Sequence, residues 1–176
     1  MQESEIRILA VNPGSRYIGI AVFHGPELAD WGVKSIREAS VKGKMERLKS
    51  IFVEIAGTHT VSCFVIKGLH PARSSKRLRK LTSEAIDWAR KEGLDTREYS
   101  IHEIEASLVP SRKRNKKHLM EEVAARYPFL YPELEKERRN RNPYLVRMFE
   151  AVALGMRCLS DLEKSKGRKS VSMVHE

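Results

Sequence analysis

A mixed α/β sheet is the fold class predicted for this chain, and three observations predict it. Near the start, Ile6 to Val11, Tyr17 to Phe23 and Leu28 to Ile36 are apolar, strand-like runs separated by short turns containing glycine or proline. That spacing reads as an antiparallel meander. Beyond Ile36 the apolar period becomes helical, and helices then alternate with two further short strands. Finally, Val61 to Ile66, "VSCFVI", is mostly apolar, which suits a central strand covered on both faces. Three antiparallel strands followed by strand–helix alternation give a mixed five-stranded sheet with helices on both faces.

The helices follow from spacing and caps. Met45, Leu48, Phe52 and Ile55 share one helical face, with lysines and Arg47 elsewhere. After the "VSCFVI" strand, Leu78, Leu81, Ala85 and Trp88 repeat the pattern, and Gly93 lies where a helix would end. Thr96 to Ser100 is the fifth strand. Ser100 and Glu103 have capping-box spacing for the next helix, which Pro110 ends. Asn115 is placed to cap a helix from Lys116 to Tyr127. The "YPFLYP" segment is too rich in proline to continue it. Glu133 to Arg141 is densely charged, and neither helix nor loop is assigned to it. Asn142 as N-cap and Pro143 in the first turn begin the last helix, with Leu145, Met148, Phe149, Val152 and Met156 as its core stripe. No internal repeat is visible.

With 176 residues the chain can bury a sizeable core. Its net charge of +10 favours a polyanionic partner through counterion release. The two cysteines, Cys63 and Cys158, lie in an apolar strand and an apolar helix and read as buried hydrophobes. They have no metal-ligand spacing. The N-terminal Met-Gln-Glu-Ser-Glu lacks the features of a signal peptide, and no apolar run approaches membrane-spanning length. A cytoplasmic protein with no membrane association is expected.

The opening stretch "VNPGSRYIGIAV" sets the functional question. With the element order, it resembles the ribonuclease H-like fold, and more narrowly the RuvC-type Holliday junction resolvases and the related YqgF proteins. Their opening has the form D-P-G-S-x-x-x-G-x-x-V. "VIKGLH" lies where the family's fourth strand delivers a glutamate. The segment from "REYSIHEIEASLVP" through "SRKRNKKHLMEEVA" resembles the family's basic loop and following helix. "RMFEAVALGM" resembles the last helix, D-x-x-D-A-x-A-x-A. The resemblance runs from Arg7 to Cys158. The chain then reads as a single ribonuclease H-like domain over residues 1–163, and from Lys164 onward it is polar, which reads as a flexible tail over 164–176. The resemblance also implies dimers acting on symmetric junctions, so a homodimer is open.

Family chemistry is phosphodiester hydrolysis with two divalent metals held by closely spaced carboxylates. Laid on this sequence, the four acidic positions are Asn12, Lys67, Arg147 and Glu150. Asn12 can still offer a carbonyl oxygen to a hard cation, whereas Lys67 and Arg147 cannot ligate one and repel it. No catalytic residue is therefore assigned, no metal ligand is assigned, and no cofactor is expected. Mg or Mn enters only if a divergent nuclease survives. The preferred reading of Asn12 is a structural remnant that keeps the turn. For Lys67, Arg147 and Glu150 an ion-pair network tying the last helix to the central strand is slightly preferred. The competing reading has Lys67 and Arg147 receive a phosphate directly.

Three basic runs flank these positions. Arg73, Lys76, Arg77, Arg79 and Lys80 open the second helix, where positive charge opposes the macrodipole. Arg112, Lys113, Arg114, Lys116 and Lys117 form the densest cluster, and Arg138, Arg139 and Arg141 a third. The candidate nucleic-acid-binding residues are Arg16, Lys67, Arg73, Lys76, Arg77, Arg112, Lys113, Arg114, Lys116, Lys117 and Arg147. Tyr127, Phe129 and Tyr131 lie between basic segments as base-stacking residues sometimes do, but packing onto the core is preferred. His70 follows Lys67 off the strand end and points only weakly to a site.

Three functions compete. The leading one is a nucleic-acid-binding protein with a RuvC-like fold and a lost metal-dependent nuclease site, its ligand branched DNA or structured RNA. The second is an active divergent endonuclease, which requires acids such as Glu103, Glu105 and Glu150 to converge near Asn12. The third is a protein-interaction module that kept only the fold. Fold alone does not choose among them.

Overall fold

A computed structural model describes residues 4–172. Residues 1–3 and 173–176, which include most of the N-terminal segment and the end of the expected tail, lie outside the described residues. The five strands are β1 (Arg7–Asn12), β2 (Tyr17–His24), β3 (Glu27–Ser35), β4 (Cys63–Lys67) and β5 (Asp95–Tyr99). They form one sheet in the order β3-β2-β1-β4-β5. The β3–β2–β1 half is antiparallel, and β4 and β5 join parallel to β1. This is the mixed sheet predicted from the alternation of elements.

Alternation along the strands divides the core in two. Leu9, Val11, Phe64 and Ile66 face one side, where they meet Leu48, Phe52, Leu81 and Trp88 of α1 (Val41–His59) and α2 (Lys76–Lys91). Ile8, Ala10, Cys63 and Val65 face the other, covered by α3 (Ile101–Leu108), α4 (Lys116–Arg126), α5 (Tyr131–Arg139) and α6 (Val146–Ser172). The same period of two places the candidate site. Asn12 and Lys67, the last residues of β1 and β4, fall on the α6 side with Ala10 and Val65.

Local signals account for most helix starts. Ser40, Ser75, Ser100 and Asn115 each accept a backbone N–H of the following first turn. The Ser100–Glu103 capping box closes in both directions. The unassigned charged segment is α5, which begins at Tyr131 with Pro132 in its first turn. α6 departs from expectation at both ends. It starts at Val146, not at Asn142–Pro143, and continues through 164–172, where a flexible tail was expected. Its start is set from outside. Glu137 of α5, 5% exposed, accepts the backbone N–H groups of Tyr144 and Val146. A carboxylate there complements the positive end of the helix dipole. Asn142 instead donates its backbone N–H to Asn140 Oδ1.

The second glycine of the opening motif has a packing role. A Cβ at Gly19 would run into the backbone carbonyl of Arg147, so its absence lets the first turn of α6 lie directly on β2. Cys63 and Cys158 are both buried free thiols, with their sulfurs 3.6 Å apart. The hydrogen bond to Cys63, followed by burial, pushes the Cys158 thiol far above its ordinary range. That suits the expected role of small core residues. Among the described residues no helix is long and apolar enough to cross a membrane.

Candidate functional site

The carboxyl ends of β1 and β4 mark the point where the sheet changes from antiparallel to parallel. Crevices at such points in open α/β sheets are common ligand sites. Asn12 lies one residue beyond the registered pair Val11–Ile66, and Lys67 one residue beyond on the neighbouring strand. α6 lays Arg147 and Glu150 across them. Glu150, 3% exposed, accepts on its Oε2 from Lys67 Nζ at 2.6 Å and from Asn12 Nδ2 at 2.8 Å. Asn12 Nδ2 also donates to the Arg147 carbonyl at 3.3 Å. Both partners are acceptors, which fixes the amide nitrogen on this side. Asn12 is therefore a hub joining the β1–β2 turn to α6, a role an aspartate facing the same two acceptors could not fill.

Arg147 does not complete the expected ion-pair network, because its guanidinium lies over Gly14. A side chain at residue 14 would collide with it, so the first motif glycine provides the space the cation occupies. Glu150 Oε1 has no hydrogen-bond partner although it is buried. Lys116 Nζ is 4.0 Å away, within ion-pair range but beyond hydrogen-bond reach. Lys67, Lys116, Arg147 and Glu150 line one hollow of about 460 Å³ with Glu137 and Arg138. Arg138 is committed to Glu121 and Glu135 at 3.0 and 2.8 Å, and Glu137 to the start of α6. The free balance of the hollow is positive.

The other candidates are spread around this point. Arg16 borders a second hollow, of about 320 Å³, with Arg37, Glu38 and Lys44. Neither Arg37 nor Lys44 stood out in the sequence, since they lie apart from any basic run. Arg73 stands in the exposed loop before α2, and Lys76 and Arg77 are exposed in its first turn. Arg112 and Lys113 are exposed on a short 3₁₀ turn (Ser111–Lys113), Arg114 is exposed just after it, and Lys117 is exposed in the first turn of α4. Of the dense cluster, Lys116 alone lines the main hollow. His70 accepts from the Ala72 amide in its own turn and does not line the hollow. Tyr127 is buried as expected, but Phe129 and Tyr131 are about half exposed.

The donor set does not fit the two divalent ions that the family resemblance implies. Only one of the four positions carries a carboxylate, and one of its oxygens is taken by Lys67 and Asn12. Two positions carry cations. Glu103, offered as a replacement acid, spends its carboxylate on the α3 cap at 2.7 Å. Among the described residues no group of three His, Cys, Asp or Glu side chains is placed to hold a metal ion.

No protein-family model matches the chain, and its sequence matches no curated protein. Solved structures do match. The Thermus thermophilus RuvC structure is similar at a TM-score of 0.67 and 12% identity, over 86% of this chain and 92% of that one. T. thermophilus RuvC in complex with Holliday junction substrate gives 0.66 and 13%, over 86% and 91%. The yeast mitochondrial Holliday junction resolvase Ydc2 gives 0.60 and 10%, over 91% and 81%. The chain thus has the RuvC-like, ribonuclease H-like fold. At these identities the likeness is one of architecture.

Proposed function

We propose that this protein binds nucleic acid with a RuvC-like fold whose metal-dependent nuclease centre has been replaced by fixed cations. One observation carries the reading. At the switch point of the sheet, Glu150 is held by Lys67 and Asn12, and Arg147 and Lys116 line the same hollow. Lys67 and Arg147 supply positive charge where the family chemistry requires metal-bound carboxylates, and Arg147's fork suits a phosphodiester oxygen pair. The proposed ligand is branched DNA, the substrate class named for the similar resolvases, with structured RNA as the competing ligand. The exposed clusters at Arg73–Arg77 and Arg112–Lys117 then contact backbone outside the hollow.

The test is fluorescence anisotropy with a four-way junction, a duplex and a structured RNA, in chelator, across a salt series. The expected result is tight junction binding without metal and a steep salt slope, about 0.9 per neutralised phosphate for B-DNA. Arg147→Ala weakens that binding while leaving the unfolding midpoint unchanged. Absence of binding to all three ligands at low salt overturns the reading in favour of a protein-interaction module. Metal-dependent cleavage of the junction, abolished by Glu150→Gln, overturns it in favour of an endonuclease.

A further inference from the structure

Beside the cationic hollow lies an aromatic pair that the proposed binding mode leaves unused. Tyr17 opens β2 immediately after the Asn12–Arg16 turn, and Tyr144 sits on the approach to α6. Their rings stack with centroids 5.5 Å apart and planes 27° from parallel. Both remain exposed, Tyr17 at 37% and Tyr144 at 39%. The pair is tied to the site through the backbone. The Arg147 amide donates to the Tyr144 carbonyl at 3.2 Å, and the Tyr17 carbonyl and the Arg147 guanidinium crowd the same space over Gly14.

Charge lies on both flanks. On one is Arg147, which bonds Tyr144 through its amide and lines the main hollow. On the other is the smaller hollow lined by Arg16, Arg37 and Lys44, which Tyr17 itself borders and in which Glu38 is the sole acid. A second exposed aromatic pair provides a contrast. Trp31 and Phe129 lie 4.9 Å apart, but the hollow beside Trp31 mixes Asp30 and Glu54 with Lys34 and Arg47. Of these two pairs, it is the tyrosines that stand between patches with surplus positive charge. An apolar face flanked by cations suits a strand whose phosphates meet the charges while a base meets the ring.

We propose that the Tyr17–Tyr144 stack is a platform for an unpaired base, with phosphates of the same strand held by Arg147 on one side and Arg16 on the other. This rests on the nucleic-acid reading and deepens it. The preferred ligand is not duplex as such but a junction or gap that exposes a base. A fully paired helix keeps its bases stacked on each other and offers the platform nothing.

Two probes test this with the full chain by anisotropy: a duplex carrying a short single-stranded gap, and its fully paired counterpart, each made in DNA and in RNA. The wild-type chain binds the gapped probe about tenfold tighter than the paired one. The Tyr17→Ala/Tyr144→Ala double variant loses that preference and keeps its affinity for the paired probe. Tyr17→Phe and Tyr144→Phe retain the preference. An abasic residue in the gap removes the same factor from the wild-type chain, and this arm decides the matter even where the double variant fails to fold. Equal wild-type affinity for both probes, or an unaltered preference in the folded double variant or on the abasic strand, overturns the platform alone. Failure of the wild-type chain to bind either probe removes the platform together with the nucleic-acid reading.

Discussion

Helix α6 is fastened to the sheet by two polar clamps, roughly three turns apart. At the first, Glu150 meets Lys67 and Asn12. At the second, Asp161 Oδ2 accepts from Tyr99 Oη of β5 at 2.6 Å and from Arg157 Nε at 3.1 Å. The Arg157 guanidinium also lies 5.2 Å over the Tyr99 ring. The Asp161 clamp is partly exposed, and its nearest cations have partners: Arg157 pairs with Asp161, and Arg97, which also bonds Tyr99, pairs with Asp95, with Lys164 adding a weaker attraction. At the first clamp Glu150 is 3% exposed, one of its oxygens has no hydrogen-bond partner, and Lys67, Lys116 and Arg147 all line the hollow beside it. Helix docking explains the second clamp in full. It does not explain the excess charge at the first, and that difference supports a ligand there.

The largest way to sharpen the contrast is to remove one cation from each clamp. Lys67→Met leaves Glu150 buried without its ion-pair partner and is expected to cost about 3–5 kcal/mol of stability. Arg157→Met, at a partly exposed pair, is expected to cost no more than about 1 kcal/mol. Urea denaturation measures both. The double variant Lys67→Met/Glu150→Leu should recover much of the loss, because an apolar pair of similar volume can replace a buried ion pair. Equal costs at the two clamps would erase the distinction.

Next in size is Gly19→Ala. The added methyl meets the Arg147 carbonyl and must push the first turn of α6 off β2, an overpacking expected to cost about 2 kcal/mol. The disturbance should fall on the Glu150 end. Amide exchange should therefore rise at Arg147–Glu150 more than around Asp161.

Tyr99→Phe tests the Asp161 clamp, with an expected loss of about 1 kcal/mol. Burial, and then the hydrogen bond to Asp161, raise the Tyr99 phenol from 10.0 to about 12. The folded state holds that proton more tightly than the unfolded chain. Its contribution is complete below pH 10 and fades as pH climbs towards 12. Asp161 runs the opposite way. Burial works upward on its carboxyl, but the hydrogen bonds from Tyr99 and Arg157 outweigh it and hold it below the usual range. That contribution is present above the ordinary aspartate pKa and is lost as pH falls through the lowered value. In Tyr99→Phe the alkaline limb shrinks to what Tyr127, whose phenol burial also pushes up, still contributes, and the acid limb shrinks too, while nucleic-acid affinity stays unchanged.

The two clamps were unequally legible in the sequence. Resemblance to the family's opening motif, fourth strand and last helix aligned Asn12, Lys67, Arg147 and Glu150, and three of them do meet, Glu150 bonding Lys67 and Asn12, while the Arg147 guanidinium lies over Gly14. The Ser100 and Asn115 caps were legible because a side chain bonds backbone two or three residues ahead. The start of α6 was not, since Glu137 supplies its cap from a neighbouring helix and the local Asn142–Pro143 signal pointed elsewhere. Nothing in the sequence pairs Tyr17 with Tyr144, or Tyr99 with Asp161. Arg37 and Lys44 were missed because single cations in mixed surroundings carry no pattern until the chain folds around Arg16.

The smallest expected effect bears most directly on what the surplus charge is for. Lys116 stands 4.0 Å from Glu150 Oε1, with its side chain 66% exposed. If it were a structural partner of that buried oxygen, Lys116→Ala would destabilise the fold as Lys67→Met does. An exposed ammonium at that separation is weakly coupled and salt-screened, so the expected change is within about 0.5 kcal/mol. Its role would then emerge in binding: the slope of log affinity against log salt should fall by about one, uniformly across ligand sequences. A large stability loss would instead make Lys116 the missing partner of Glu150. The first clamp would then be as complete as the second, and only Arg147 and the tyrosine pair would still speak for a ligand.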